Sequence, residues 1–434
     1  MKIAVIGAGI SGLTAAYYLN PQHDVSVYEV ADKIGGHTAT VDVNHRGSNF
    51  AIDTGFIVFN DWTYPNFIKL MDELGVDSQP TEMSFSVRCE TSGIEYGGNN
   101  LNTLFAQRRN LFRPSFHRML KDIMRFNREA VADLEAGHIA PSTTLGEYLT
   151  SNAYGEAFTY QYILPMGCAI WSASTDRMHE FPLQFFLQFF KNHGLLSVNN
   201  RPQWRVIRGG SRHYLKPLTA IFSQSIFVNA CIRKIRRLGD SVELIMSDGR
   251  ILVYDQVVLA CHSDQALALL TDATLAERSA LSDIPYQQNE VVLHTDEGLL
   301  PRRRVAWSSW NYLLRERFQD RAVLTYDMNI LQGIKSDTTF CVTLNATESI
   351  SPTKIINRFD YSHPVFSLDS VDAAQRIVQI NGTNKTWFAG AYLGNGFHEA
   401  GVVSGRTVAT AINRLPADSN APHDLLTQFS ASNA

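Results

Sequence analysis

The sequence predicts an α/β protein in which a domain built on a βαβ unit is interrupted twice by a second, α+β domain. Three observations predict it. Residues 1–29 hold a strand, a glycine turn, a helix and a second strand in order. The strand and helix rhythm is lost from about residue 64 to 200, resumes near Arg208, leaves again at about 280 and returns near Thr386. Close to the end, a short strand at 387–391 (WFAGA), a glycine loop at 392–399 (YLGNGFHE) and a helix over 400–415 follow one another.

Residues 2–7 (KIAVIG) read as a buried β-branched strand, Gly7 to Gly12 as the turn, 11–19 as a helix, and 25–29 (VSVYE) as a strand ending in an acid. Gly7 permits the tight turn, Gly9 lets the backbone approach a pyrophosphate, and Gly12 lets the helix pack on the strand. The helix N-terminus then offers free N–H groups to phosphate. Glu29, 22 positions beyond Gly7, can accept from ribose hydroxyls and would repel a 2′-phosphate. A lone GxGxxG arises often by chance. With every neighbouring part in place it marks a Rossmann-like nucleotide-binding unit.

A second glycine pair, Gly35-Gly36, follows in DKIGGHTAT (32–40), and residues 50–60 (FAIDTGFIVFN) read as a strand with a glycine turn. Close backbone approach to a second part of a long cofactor points to FAD, because NAD in a plain dehydrogenase does not require it. No second GxGxxG occurs, so a resident NAD(P)H site is not supported. The 400–415 helix is rich in small residues (Gly401, Ser404, Gly405, Ala409, Ala411), which suits close packing. Its positive N-terminus, aimed at the flavin N1–C2=O edge, would stabilise the reduced ring.

Composition sets the outer bounds. At 434 residues, 45% apolar and 18% charged, the chain can bury a large interior in two to three units. The net charge of −4 argues against nucleic acid as a partner. Cys89, Cys168, Cys231, Cys261 and Cys341 form no CxxC pair and read as reduced, mostly buried thiols of a cytoplasmic protein. The apolar N-terminus is broken by glycines and leads into the nucleotide unit, so it reads as mature structure rather than a signal peptide. No apolar run reaches the ~18 residues of a membrane span.

Helices are expected over 64–74, over 115–135, and from Gly209-Gly210-Ser211 through Ile221. Paired strands are expected in 84–96, strands over 226–236 and 242–246 around Gly239-Asp240, a turn at 247–250, and one strand over 251–259 (ILVYDQVVL). The domain expectation is 1–80, 201–275 and 376–416 for the cofactor domain, 81–200 and 276–375 for the substrate domain, and a flexible tail over 417–434.

VIGAGISGLTAA, IGGHTAT, IDTGFIVFN and FAGAYLGNGFHEAGVVSG together resemble the FAD-containing amine oxidase and phytoene desaturase superfamily, whose cofactor domain is Rossmann-like of the glutathione reductase type. MGCAIWS (166–172), FFKNHGLL (189–196), RGGSRHYLKPL (208–218) and VVLHTDEGLLPRRRVAWSSWNY (291–312) resemble a bacterial subgroup encoded beside cyclopropane fatty acid synthase-like methyltransferases. The resemblance implies that Gly7, Gly9, Ile10, Ser11 and Gly12 hold the pyrophosphate and Glu29 the ribose. Gly36, His37 and Thr38 would follow toward the ribityl chain, and Gly55, Phe56 and Ile57 would run beside the isoalloxazine. Ile232 would meet adenine, Gly390 the ribityl phosphate, and Phe397, His398 and Val402 the ring region. Many relatives have Gly-Asp where this chain has Gly390-Ala391, so that acidic contact is absent or comes from elsewhere.

The resemblance implies an oxidase or desaturase that takes a hydride from an unsaturated or methylated fatty acyl chain onto flavin N5. A flavin amine oxidase and a non-catalytic flavin or lipid-binding partner of a lipid methyltransferase are the alternatives. Desaturation needs a base. His398 beside Glu399 is the candidate by motif, against a histidine that only packs on the cofactor. His294 with Asp296, and His193, are others, against plain structural roles. No metal cluster or nucleophilic triad is apparent. The aromatic run 181–190 (FPLQFFLQFF) could line an acyl channel, dip into a membrane or simply fill a core. Arg302-Arg303-Arg304 beside Trp307 and Trp310 could meet lipid headgroups at the inner membrane face, or form a solvated turn.

Overall fold

A computed structural model describes residues 1–197 and 199–415, and the tail expected over 417–434 lies outside them. Five parallel strands form the first sheet, in the order Ile226–Phe227, Asp24–Tyr28, Lys2–Ile6, Gln256–Leu259, Thr386–Phe388. Its centre is buried on both faces: Ile3, Ala4, Val5, Val257, Val258 and Leu259 are inaccessible. Each such aliphatic side chain contributes roughly 1.5–3 kcal/mol by leaving water.

Gly7, at φ +103°, turns the first strand into helix Ile10–Leu19. The last described helix, His398–Asn413, lies against it. A Cβ on Gly405 would stand 2.3 Å from the Ser11 carbonyl oxygen, so the small residues there set the spacing of the two helices.

Several expected elements divide differently. The 251–259 run is two strands: Ile251–Tyr254 closes a three-stranded antiparallel sheet, and Gln256–Leu259 enters the parallel one. The break is Asp255, whose carboxylate accepts from Lys2 N–H at 2.6 Å while its own N–H donates to Lys2 O at 2.9 Å. The 226–236 run divides likewise into Ile226–Phe227 and Ile232–Arg237. The expected 209–221 helix is a 3-10 turn, Ser211–Tyr214, followed by Leu215–Thr219, because Pro217 supplies no N–H to a longer helix. The last helix begins at His398, earlier than expected.

A seven-stranded sheet forms the second layer system, in the order Ile355–Pro364, Tyr286–His294, Cys341–Leu344, Leu324–Asp327, Trp310–Leu314, Phe85–Cys89, Glu95–Gly97. Against it pack helices Pro114–Glu135, Leu164–Trp171 and Leu183–Asn192 around an aromatic core. In the 181–190 run, Phe181, Phe186 and Phe190 are buried in that core, so the run is internal and presents no membrane face. Among the described residues no helix is long and apolar enough to cross a membrane.

Candidate functional site

One cavity of about 990 Å³ begins at the glycine turn of the first sheet and continues between the seven-stranded sheet and the helices. Its first part is walled by Gly7, Gly9, Ile10, Ser11, Glu29, Gly36, His37, Gly55, Phe56, Ile57, Ile232, Gly390, Ala391, Phe397 and His398. Gly12, Thr38 and Val402, also expected to meet the cofactor, stand behind this wall. A Cβ on Gly12 would fall 2.0 Å from Gly7 O, and Val402 is in the core between the first and last helices.

FAD fits this part of the cavity. A Cβ on Gly9 would meet nothing within 4 Å, so its open face is available to a pyrophosphate. Gly9 and Phe397 precede two helices whose N-termini reach the cavity, and neither helix has a side-chain cap. First-turn N–H groups are therefore left for an anion. The second glycine pair closes on the first turn: Gly35 N–H donates to Ala8 O at 2.8 Å, and Gly36 lies against Gly9. Glu29 accepts from Ala8 N–H at 2.8 Å and Ala31 N–H at 2.9 Å, which fixes its carboxylate at the ribose end. Ile232 lies beyond it, where Ala230 N–H bonds Glu29 O at 2.8 Å. His37 Nε2 is buried without a partner. Ala391 does line the cavity, so the side chain that replaces the relatives' acid carries no charge there.

His398 faces Phe56 at 3.6 Å between ring centroids, nearly parallel. Its Nε2 lies 3.1 Å from Thr38 Oγ1 and 3.2 Å from the Tyr214 hydroxyl, which also bond each other. Burial, aided by His37, drives its pKa well down and keeps the ring neutral. Glu399 does not support it. That carboxylate accepts from Asn66 N–H at 3.0 Å, Asn66 Nδ2 at 2.7 Å and Phe67 N–H at 2.8 Å, capping helix Pro65–Leu74, and burial raises its pKa.

The other histidine candidates are placed elsewhere. His294 is fully buried in the seven-stranded sheet and outside the cavity. Its Nε2 is 2.7 Å from Thr343 Oγ1, and its Nδ1 accepts from Asp296 N–H at 2.9 Å, so both nitrogens are engaged structurally. Asp296 anchors a turn instead, through Gly298 N–H, Ser351 N–H and Lys354 Nζ. His193 reaches the cavity wall, but Thr63 Oγ1 at 3.0 Å and Phe189 O at 2.9 Å occupy its nitrogens. Three histidines do meet at the wall: His37 is 5.5 Å from His363 and 6.4 Å from His262 between ring centroids. Burial lowers their pKa values, His37 to about 3 and His363 to about 4. Sequence spacing could not show this, because they come from three distant segments.

The second part of the cavity is mainly apolar, with Asn127 and Arg201 also in the wall. Leu120, Ile123, Met166, Ile170, Phe189 and Leu195 line it, with Trp310 and Tyr326 edge to face at 5.1 Å. The helix residues were legible only as an apolar stripe, which reads equally well as core. Arg304 lies over Trp307 at 4.9 Å and pairs with Glu297, so that arginine of the 302–304 run is tied into its own turn. Among the described residues no cluster of His, Cys, Asp and Glu is placed to hold a metal.

Comparison with known proteins bears on the family and the fold. A protein of Mycobacterium tuberculosis assigned as flavin-containing monoamine oxidase AofH is 23% identical over 320 residues, 71% of this chain and 65% of that protein. The chain thus spans just under two thirds of that relative. A zeta-carotene desaturase of Zea mays is 37% identical over 79 residues, 18% of this chain and 13% of that protein. The structure of wild-type putrescine oxidase bound to putrescine superposes with a TM-score of 0.68 at 16% identity, covering 95% of this chain and 99% of that one, a likeness of fold. The family of flavin containing amine oxidoreductases matches residues 10–316. With the nucleotide turn, the second glycine pair and the two uncapped helices meeting on one cavity, the chain belongs to that flavin-dependent family.

Proposed function

We propose that the protein is an FAD-dependent oxidoreductase, an oxidase or desaturase, that draws electrons from a long acyl chain. The observation that supports this reading is the apolar arm that continues from the cofactor end of the cavity without a wall between them. FAD, when bound, supplies the two-electron acceptor. The chain's residues hold and orient: Leu120, Ile123, Met166 and Ile170 would take the apolar chain and exclude water, while Thr38 and Tyr214 hold the His398 ring. His398, neutral at pH 7 with Nε2 held by Thr38 and Tyr214, is the proposed proton acceptor through Nδ1. A lipid methyltransferase that supplies a methylated chain is the proposed partner.

A second reading, amine oxidation, is favoured by the Trp310 and Tyr326 pair at the cavity wall, a surface suited to an amine cation. Anaerobic addition of oleate, a methylated oleate or putrescine to the flavin-loaded protein separates the two. Bleaching of the flavin band by an acyl chain is expected. Bleaching by putrescine alone would move the assignment to the second reading. His398→Asn should slow acyl-dependent bleaching by about 10²–10⁴ while flavin stays bound, if the histidine takes the proton.

A further inference from the structure

The segment that walls the apolar arm carries exposed apolar side chains and cations outside the cavity. Residues 101–124 include Arg108, Arg109, Arg113, Arg118 and Lys121 and a single acid, Asp122, which pairs with Arg125, in a chain whose net charge is −4. The same segment and the turn after it expose large apolar side chains: Phe112 is 86% exposed, Leu101 74%, Met124 58% and Leu111 45%. Single exposed apolar residues are ordinary, but four of them interspersed with unneutralised cations on neighbouring elements are not. Arg118 and Lys121 make no ion pair or hydrogen bond among the described residues, so their charge is free for a partner.

The surface is a platform with fixed geometry. Phe105 packs edge to face on Phe116 at 5.7 Å, which joins helix Leu101–Leu104 to helix Pro114–Glu135. Arg109 donates to Gly93 O, and Asn110 Nδ2 to Glu95 O at 3.3 Å, which tie the turn between them to the strand hairpin. On the inner side, Leu104, Leu120 and Ile123 line the cavity. One element therefore faces the acyl arm on one side and presents apolar side chains and cations on the other.

We infer that residues 101–124 dock the protein on an anionic lipid bilayer, with Leu101, Leu111 and Phe112 entering the headgroup boundary and Arg108, Arg109, Arg118 and Lys121 meeting lipid phosphate. The charge complementarity commits the site to an anionic bilayer, and the cavity behind it gives the docking a use: an acyl chain passes into the arm without crossing bulk water. The cargo rests on the acyl reading proposed above; the surface does not. It is also not where the sequence alone placed a membrane contact, at 181–190 and 302–304.

The test is sedimentation of the flavin-loaded protein with vesicles of phosphatidylglycerol and phosphatidylethanolamine, or of phosphatidylcholine alone. Binding to the anionic vesicles is expected to be at least about tenfold tighter and to weaken at high salt. Arg118→Glu with Lys121→Glu, and separately Leu111→Ser with Phe112→Ser, should each weaken it about tenfold or more while the flavin spectrum and circular dichroism persist. Equal binding to both vesicles, no binding to either, or variants that bind like the parent would each overturn the inference. A surface that serves an acidic protein partner instead would show as no binding to either vesicle. Flavin bleaching by detergent-dispersed oleate reads the other proposal independently: bleaching without vesicle binding removes the docking surface alone, and vesicle binding without bleaching leaves it standing while the acyl reading fails.

Discussion

At Gly9 and Gly12 two glycines of one motif have different work, and alanine separates it. Gly9 has φ −77°, a value open to any residue, and its Cβ position is free for 4 Å. Gly9→Ala should leave the flavin-free melting temperature within about 2 °C of the parent. It should nonetheless cost at least about tenfold in FAD affinity, because the methyl group enters pyrophosphate space. Gly12→Ala meets Gly7 O at 2.0 Å and should lower both stability, by about 1–3 kcal/mol, and flavin content. Thermal melts and flavin titration of the two variants check this. The motif's positions, and the division of work between Gly9 and Gly12, were legible because their geometry is local. His294 misled for the opposite reason. Alternation along a strand tells which residues share a face, and only the pairing with Thr343 shows that this face is sheet interior.

Between elements, the buried Asp53 carboxylate clamps the end of strand Ser48–Asp53 to the turn at Ser211. It accepts from Ser211 N–H at 2.9 Å, Thr40 Oγ1 at 2.6 Å and Gln332 Nε2 at 3.1 Å. Burial pushes its pKa up to about 6. Because the folded value lies above the unfolded value of about 3.9, the folded state favours the protonated acid. The stability this provides is complete below pH 4 and is lost as pH rises through 6. Relative to Asp53→Asn, the parent should therefore lose on the order of 2 kcal/mol between pH 4 and 6. Urea midpoints measured across that range give the difference, and a flat difference would remove the argument. The element pattern itself was readable in large part: helix Pro65–Leu74 begins at Pro65 and is ended by Gly75 at φ +65°. The assignment of 251–259 to two sheets was not, since an apolar β-branched run says that a segment is a strand and says nothing of which sheet receives it.

For the molecule as a whole, the cofactor end and the apolar arm of the cavity are continuous but lined by different residues, so each can be changed without the other. Met166 lies on the arm's helical wall, in Leu164–Trp171. Met166→Trp should shorten the arm: the preference for eighteen-carbon over eight-carbon chains, as a ratio of kcat/KM, should fall at least about tenfold with flavin content unchanged. An unchanged ratio would place the chain elsewhere. The cofactor end was legible because its parts are contiguous motifs. The arm was not, because it is assembled from helix 114–135, helix 164–171 and the segment after Phe189, and each alone reads as ordinary core.

The close packing of helix His398–Asn413 against helix Ile10–Leu19 also orders events at the ribosome. The first half of the flavin grip is translated nearly 380 residues ahead of the second, by the numbering of the two helices. A nascent chain would therefore carry an open nucleotide cleft until residues 398–413 emerge, and close it around FAD only then. Yellow colour in a preparation then counts molecules synthesised through that closing helix.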